Sequence, residues 1–110
     1  MKDYKGWTAK QRRESLVKTK QAIADGIIPP ATKCNRCGQT EGIIEYHNAD
    51  YSDPIKFLES LCFRCHMVHH SRFRAPLQCI DYWEEIAQGK CFPPVFTRDF
   101  SVLRKDHGIN

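Results

Sequence analysis

A small α+β fold is what this sequence predicts, on three observations. Residues 9–24 follow Thr8 without a Gly or Pro, which reads as a capped helix. Ile43-Ile44-Glu45-Tyr46-His47-Asn48 is branched and aromatic, the composition of a short strand. Around that strand stand two pairs, Cys34-x-x-Cys37 and Cys62-x-x-Cys65, and four thiolates are the number a tetrahedral structural zinc takes. At 110 residues the expected organisation is a single domain: a basic helical arm over 1–33, a zinc-stapled core over 34–70 and a helical C-terminal extension over 71–110. A metal cross-link helps a chain this short, because small domains bury proportionally less surface.

Each element has its own signal. In the first helix, Leu16, Val17, Ile23 and Ala24 allow one buried stripe, with Lys10, Arg12, Arg13, Lys18 and Lys20 mostly elsewhere. Gly26 and Pro29-Pro30 end it, since Gly caps well and Pro cannot continue a helix. Gly38 permits the tight turn of the first knuckle. Asp50-Tyr51-Ser52-Asp53-Pro54 reads as a turn, followed by a second apolar run at Ile55, Phe57, Leu58 and Leu61. A helix is expected from Arg64 or Cys65 onward. Pro76 opens another, through Tyr82, Trp83 and Ile86, stopped by Gly89. Phe92-Pro93-Pro94-Val95-Phe96 is an extended connector, and Thr97 is placed to cap a last short helix through Lys105. The aromatics of this third are expected to cover the zinc module or pack on the first helix, with nucleic-acid stacking by Trp83 or Phe73 as the rarer use.

The net charge of +4 is unevenly spread. Residues 1–33 carry eight Lys and Arg against three acids, whereas 34–70 carry three against five. A basic arm beside a mildly acidic, metal-rich centre suits a protein that grips phosphates with one part; a solvated helix face accounts for the charges equally well. No apolar run approaches membrane-spanning length and MKDYKGWTAKQRRES is no signal peptide, so a cytoplasmic protein with no membrane partner is expected. In a reducing compartment, paired CxxC motifs read as metal ligands rather than as a disulfide framework. Cys79 and Cys91 fall outside the pattern and read as ordinary semi-buried thiols.

The histidines lie beyond the zinc's count. His66 and His70, four residues apart, share one face of the expected helix, a workable geometry for two imidazoles on one ion. His69 falls to one side and is expected to be exposed. The plainer reading is a pair of surface histidines, or replacement ligands for the zinc itself.

Residues 34–70, CNRCGQTEGIIEYHNADYSDPIKFLESLCFRCHMVHH, resemble the zinc-bearing branch of the HNH endonucleases. Small phage and mobile-element members of that family run CxxC, then His-His and Asp-Tyr-Ser, then CxxCHxxxH. The resemblance implies a ββα-metal core in which Cys34, Cys37, Cys62 and Cys65 hold a structural Zn²⁺. A hairpin and helix then present a catalytic divalent ion, Mg²⁺ or another, to a scissile phosphate. It also implies DNA, or RNA, as the partner, and a bacterial or phage-infected cytoplasm. Aligned on Asp50-Tyr51-Ser52, His47 matches the first histidine of the family's pair, a ligand of the catalytic ion. His66 and His70 match the last histidines, also ligands. Asn48 stands where the family has its general-base histidine, and Phe57 where it has an asparagine.

That departure bears on the chemistry. An imidazole titrating near neutrality can take a proton from water; an amide can only orient it. Losing a general base costs about 10²–10⁴-fold in rate. Rescue has to come from His47 acting as the base, with His66 and His70 holding the ion alongside Asp50 or the Asn48 oxygen, or from His69 or Tyr51. Two functions follow. The first, preferred, is a divalent-metal-dependent DNA endonuclease hydrolysing phosphodiester bonds. Its catalytic residues are His47 and Asn48, and Lys10, Arg12, Arg13, Lys18, Lys20, Arg64, Arg72 and Arg74 grip the nucleic acid. The second is a catalytically silenced scaffold of the same kind, a zinc-stabilised module that binds nucleic acid or a protein partner.

Overall fold

Thr8 starts the first helix by satisfying two backbone donors at once. The computed structural model describes residues 8–48 and 58–109. Thr8 Oγ1 accepts from the Gln11 N–H at 3.1 Å, while Gln11 Oε1 accepts from the Thr8 N–H at 2.8 Å, a complete capping box. Helix α1 then runs Ala9–Ala24. Gly26 follows at φ 76°, a conformation that strains any L side chain. Its N–H donates to the Ile23 carbonyl at 3.1 Å and that of Ile27 to the Ala22 carbonyl at 2.9 Å, closing a Schellman turn.

The buried face of α1 differs from the expected stripe. Ser15, Thr19 and Ala22 are buried, whereas Leu16 and Val17 are 46% and 65% exposed. Positions 15, 19 and 22 share one side of a helix, and the expected apolar set is centred well round from it, with only Ile23 close to its edge. The Thr19 hydroxyl donates to the Ser15 carbonyl at 2.9 Å, which is how a polar group is tolerated on that face.

The described chain divides into two compact units. The first contains α1 with residues 46–48 and 58–59. Within it, Tyr46 Oη donates to the Pro29 carbonyl at 2.5 Å and Asn48 Nδ2 to Ser15 Oγ at 2.8 Å. The second, residues 31–45 and 60–109, carries both cysteine pairs and the other helices.

Among the described residues there is one sheet of two strands, β1 (Ile44–Asn48) and β2 (Leu58–Cys62). Just beyond their ends the Phe63 N–H donates to the Ile43 carbonyl at 2.9 Å, the register of an antiparallel pair. The expected turn at Asp50–Pro54, with Ile55 and Phe57, lies outside the described residues. Strand β2 passes directly into α2 (Phe63–His70). This helix starts earlier than expected because Cys62 caps it, its sulfur accepting the Cys65 N–H at 3.4 Å.

Helix α3 (Pro76–Ala87) opens on Pro76, whose missing N–H is no loss in a first turn. Helix α4 spans Ser101–His107, so the cap expected at Thr97 is misplaced. Asp99 does that work instead, its Oδ1 accepting the Ser101 N–H at 2.9 Å. The connector between α3 and α4 runs backbone to backbone with the residues before β1. The Ile43 N–H donates to the Val95 carbonyl at 2.8 Å, and a Cβ on Gly42 would stand 2.5 Å from that same oxygen.

The second unit is packed around Leu61, Cys65, Val68, Cys79, Tyr82, Leu103 and Ile109. Tyr82 stacks on Phe92 at 5.1 Å and meets Trp83 edge-on at 4.9 Å. Cys79 is buried outright and Cys91 is exposed, rather than both half-buried. Arg64, expected to grip nucleic acid, is only 4% exposed. Its guanidinium donates to the Pro93 carbonyl, to Asp106 Oδ2 at 2.8 Å and to His107 Nε2 at 2.9 Å. A guanidinium cannot accept, so His107 presents an unprotonated Nε2. Burial, with the Arg64 charge beside it, pushes that imidazole below its usual pKa. Arg64 thereby fastens α2 to the connector and to α4. No described helix is long and apolar enough to cross a membrane.

Candidate metal centres

The first knuckle is shaped by its backbone. The Cys34 N–H donates to the Gln39 carbonyl at 2.8 Å and the Gly38 N–H to the Cys34 carbonyl at 3.0 Å, with Gly38 at φ 84°. Two further bonds pin the loop to β2: Asn35 N–H to the Ser60 carbonyl at 2.8 Å, and Ser60 Oγ to the Lys33 carbonyl at 2.7 Å. The Gln39 amide fixes the exit, donating to the Phe92 carbonyl at 3.0 Å and accepting the Thr40 and Glu41 N–H groups at 3.0 Å each. The second knuckle is the junction of β2 and α2 itself.

Together they bring four sulfurs within 4.8 Å of one another, with Cys37 Sγ 3.8 Å from Cys62 Sγ. A tetrahedron of zinc–sulfur bonds of about 2.3 Å has edges of about 3.8 Å, whereas a disulfide bond is about 2.0 Å. All four cysteines are free thiols, and this set could hold zinc. The thiols drive one another's acidity apart: the bond with Cys37 pushes Cys34 down, and the bond with Cys34 pushes Cys65 up. A bound dication replaces the protons such a cage must otherwise share. Tyr82 Oη lies 3.0 Å from Cys65 Sγ. Burial, then the nearby Cys65 charge, holds its phenol far above the usual pKa, so it remains a donor to a thiolate.

A histidine group that includes His66 and His70 is a second set able to hold a metal. Their Nε2 atoms are 2.9 Å apart on α2. Two ligands at about 2.1 Å on adjacent corners of an octahedral ion are about 3.0 Å apart, so the pair fits such an ion. His66 Nδ1 faces Glu45 Oε1 at 2.9 Å. Glu45 is gripped in turn by Arg98, with Nη1 3.1 Å from Oε1 and Nη2 2.5 Å from Oε2. The His66 hydrogen bond, with Arg98 behind it, outweighs burial and holds the Glu45 carboxyl down to about 2.

Neither Glu45 nor Arg98 stands out in the sequence. Only the alternation of Glu45 with His47 along a strand hinted at the former. His47 is buried on β1, two residues after Glu45. Asn48 donates one of its amide N–H groups to Ser15 of α1. His69 is half-buried, its ring edge-on to His70 at 6.0 Å.

Of the other basic residues expected to meet nucleic acid, Lys10, Arg13, Lys18 and Lys20 are exposed on α1 and Arg12 is half-buried there. Arg74 is exposed, while Arg72 donates to the His69 carbonyl at 2.8 Å and lies 4.6 Å over the ring of Phe73. Phe73 is 72% exposed, whereas Trp83 is half-buried with the Arg36 guanidinium 4.7 Å over its ring. No protein-family model, curated protein or solved structure matches the chain.

Proposed function

We propose that the chain is an HNH-like, divalent-metal-dependent endonuclease that hydrolyses phosphodiester bonds in DNA. One observation carries this reading. Immediately after a four-thiol set, on the same helix, two imidazoles turn their Nε2 atoms toward one another, and a carboxylate backs one of them. His66 and His70, joined by His47 as the HNH resemblance implies, are the ligands of the second ion, while Cys34, Cys37, Cys62 and Cys65 hold zinc. A divalent ion bound there supplies Lewis acidity at a nonbridging phosphate oxygen. Lys10, Arg13, Lys18 and Lys20 contribute sequence-independent attraction to phosphates, and Arg74 and the Arg72–Phe73 pair offer a cationic, aromatic contact. Asn48 can orient a water and cannot deprotonate it.

One observation favours the second reading, a silenced scaffold that binds without turnover. The residue at the general-base position is an amide, and one of its two N–H groups donates to Ser15. Plasmid nicking in Mg²⁺, Mn²⁺ and Ni²⁺ decides between them. Wild type is expected to nick and His66→Ala to be inert. An inert wild type that gains nicking on Asn48→His establishes the silenced scaffold. DNA affinity should also fall with salt, and Lys10→Ala, Arg13→Ala and Lys18→Ala together should flatten log K against log salt by about 0.9 for each phosphate no longer neutralised. An unchanged slope removes α1 from the binding surface.

A further inference from the structure

We propose that Glu45 and Arg98 are positioning residues that set the tautomer and orientation of His66 and so prepare its Nε2 to ligate an ion. The chemistry of the contact leads there. An ionised carboxylate only accepts, so the 2.9 Å contact with Glu45 requires the proton of His66 on Nδ1. In the neutral ring that leaves Nε2 with its lone pair turned toward His70. Glu45 alone could swing, but Arg98 makes two parallel bonds to its two oxygens and fixes the plane of the carboxylate. Arg98 follows Pro93-Pro94 in the connector, where two ring-locked φ angles stiffen its approach.

The Arg98 end of the pair is poorly placed to serve stability. The Arg98 side chain is 61% exposed, and a cation so placed adds little to folding through its ion pair. Orientation is what a bidentate clamp supplies here. The C-terminal extension is therefore part of the histidine centre rather than an appendage to it.

The ligand arm of this inference rests on the proposed ion at His66 and His70; the tautomer arm rests on the contacts alone. Zinc-loaded wild type, Glu45→Gln, Arg98→Met and Arg98→Lys are compared by ¹⁵N NMR of the imidazoles, calorimetric titration with Mn²⁺ and Ni²⁺, and thermal melting. Wild-type His66 should carry its proton on Nδ1. Glu45→Gln and Arg98→Met should lose that tautomer preference and about 10–100-fold in ion affinity, and Arg98→Met should do so with little change in melting. Arg98→Lys should recover only part, because an ammonium cannot make the two-pronged bond. A wild-type His66 protonated on Nε2, or an Arg98→Met protein with wild-type tautomer and affinity, overturns the positioning role. Wild type that binds neither ion overturns the proposed ion itself, and the His66 tautomer in Arg98→Met then decides the positioning role by itself.

Discussion

Cys65 and His66 are neighbours on α2, yet their surroundings are built from different materials. Cys65 is wholly buried, its sulfur lies under the Tyr82 hydroxyl, and the partner knuckle is held by main-chain hydrogen bonds at Cys34, Asn35 and Gly38. His66 is half-buried and its ring meets side chains: Glu45 at one ring nitrogen, His70 at the other, and Arg98 one step behind. Main-chain bonds fix a cage whatever occupies it, and such a cage suits a permanent structural ion. Side-chain contacts can loosen and re-form, which suits a ligand that exchanges and a group that does chemistry. The contrast yields tests that differ widely in size.

The largest effect is expected from Cys65→Ala. Structural zinc sites in small domains supply about 10–16 kcal/mol, comparable with or above the whole stability of about 5–15 kcal/mol of an ordinary domain. The variant should lose its zinc by elemental analysis and its cooperative melt by circular dichroism. A variant that melts normally without zinc would remove the structural role of the cage. Arg64→Met should have an intermediate effect. Breaking a buried ion pair costs about 3–5 kcal/mol, and the 40% exposure of Asp106 lets water recover part, so about 2 kcal/mol is expected from urea unfolding. A loss below about 0.5 kcal/mol, the range of neutral surface changes, would show that α4 is fastened by apolar contacts alone. The smallest change in stability should come from His70→Ala, within about 0.5 kcal/mol, although it should abolish ion binding at the histidines. If His70→Ala instead unfolds the protein as Cys65→Ala does, the distinction between the two centres collapses.

Much of this was legible in the sequence, for reasons that are local. The bounds of α1 follow from Thr8 and Gly26, because capping acts over three or four residues. The four thiols are legible because CxxC spacing brings two sulfurs together by itself. Which side of α1 is buried was not legible, because Ser15 and Thr19 carry no hydrophobic signal and Leu16 and Val17 do. Arg64 resembled any surface cation, and only packing against Pro93, Asp106 and His107 reveals its role. The Glu45–Arg98 clamp joins residues 53 positions apart, which no local pattern can announce.

The close approach of Gly42 and Ile43 to Val95 has a consequence for how the protein is made. Chains emerge from the ribosome N-terminus first, at about 5–20 residues per second. All four thiols are synthesised by residue 65, and Val95 follows a few seconds later. In that interval the Ile43 N–H has yet to meet its acceptor, and the backbone at Gly42 that Val95 will line stands open. A nascent chain arrested there would hold all four thiols and still lack its last seam.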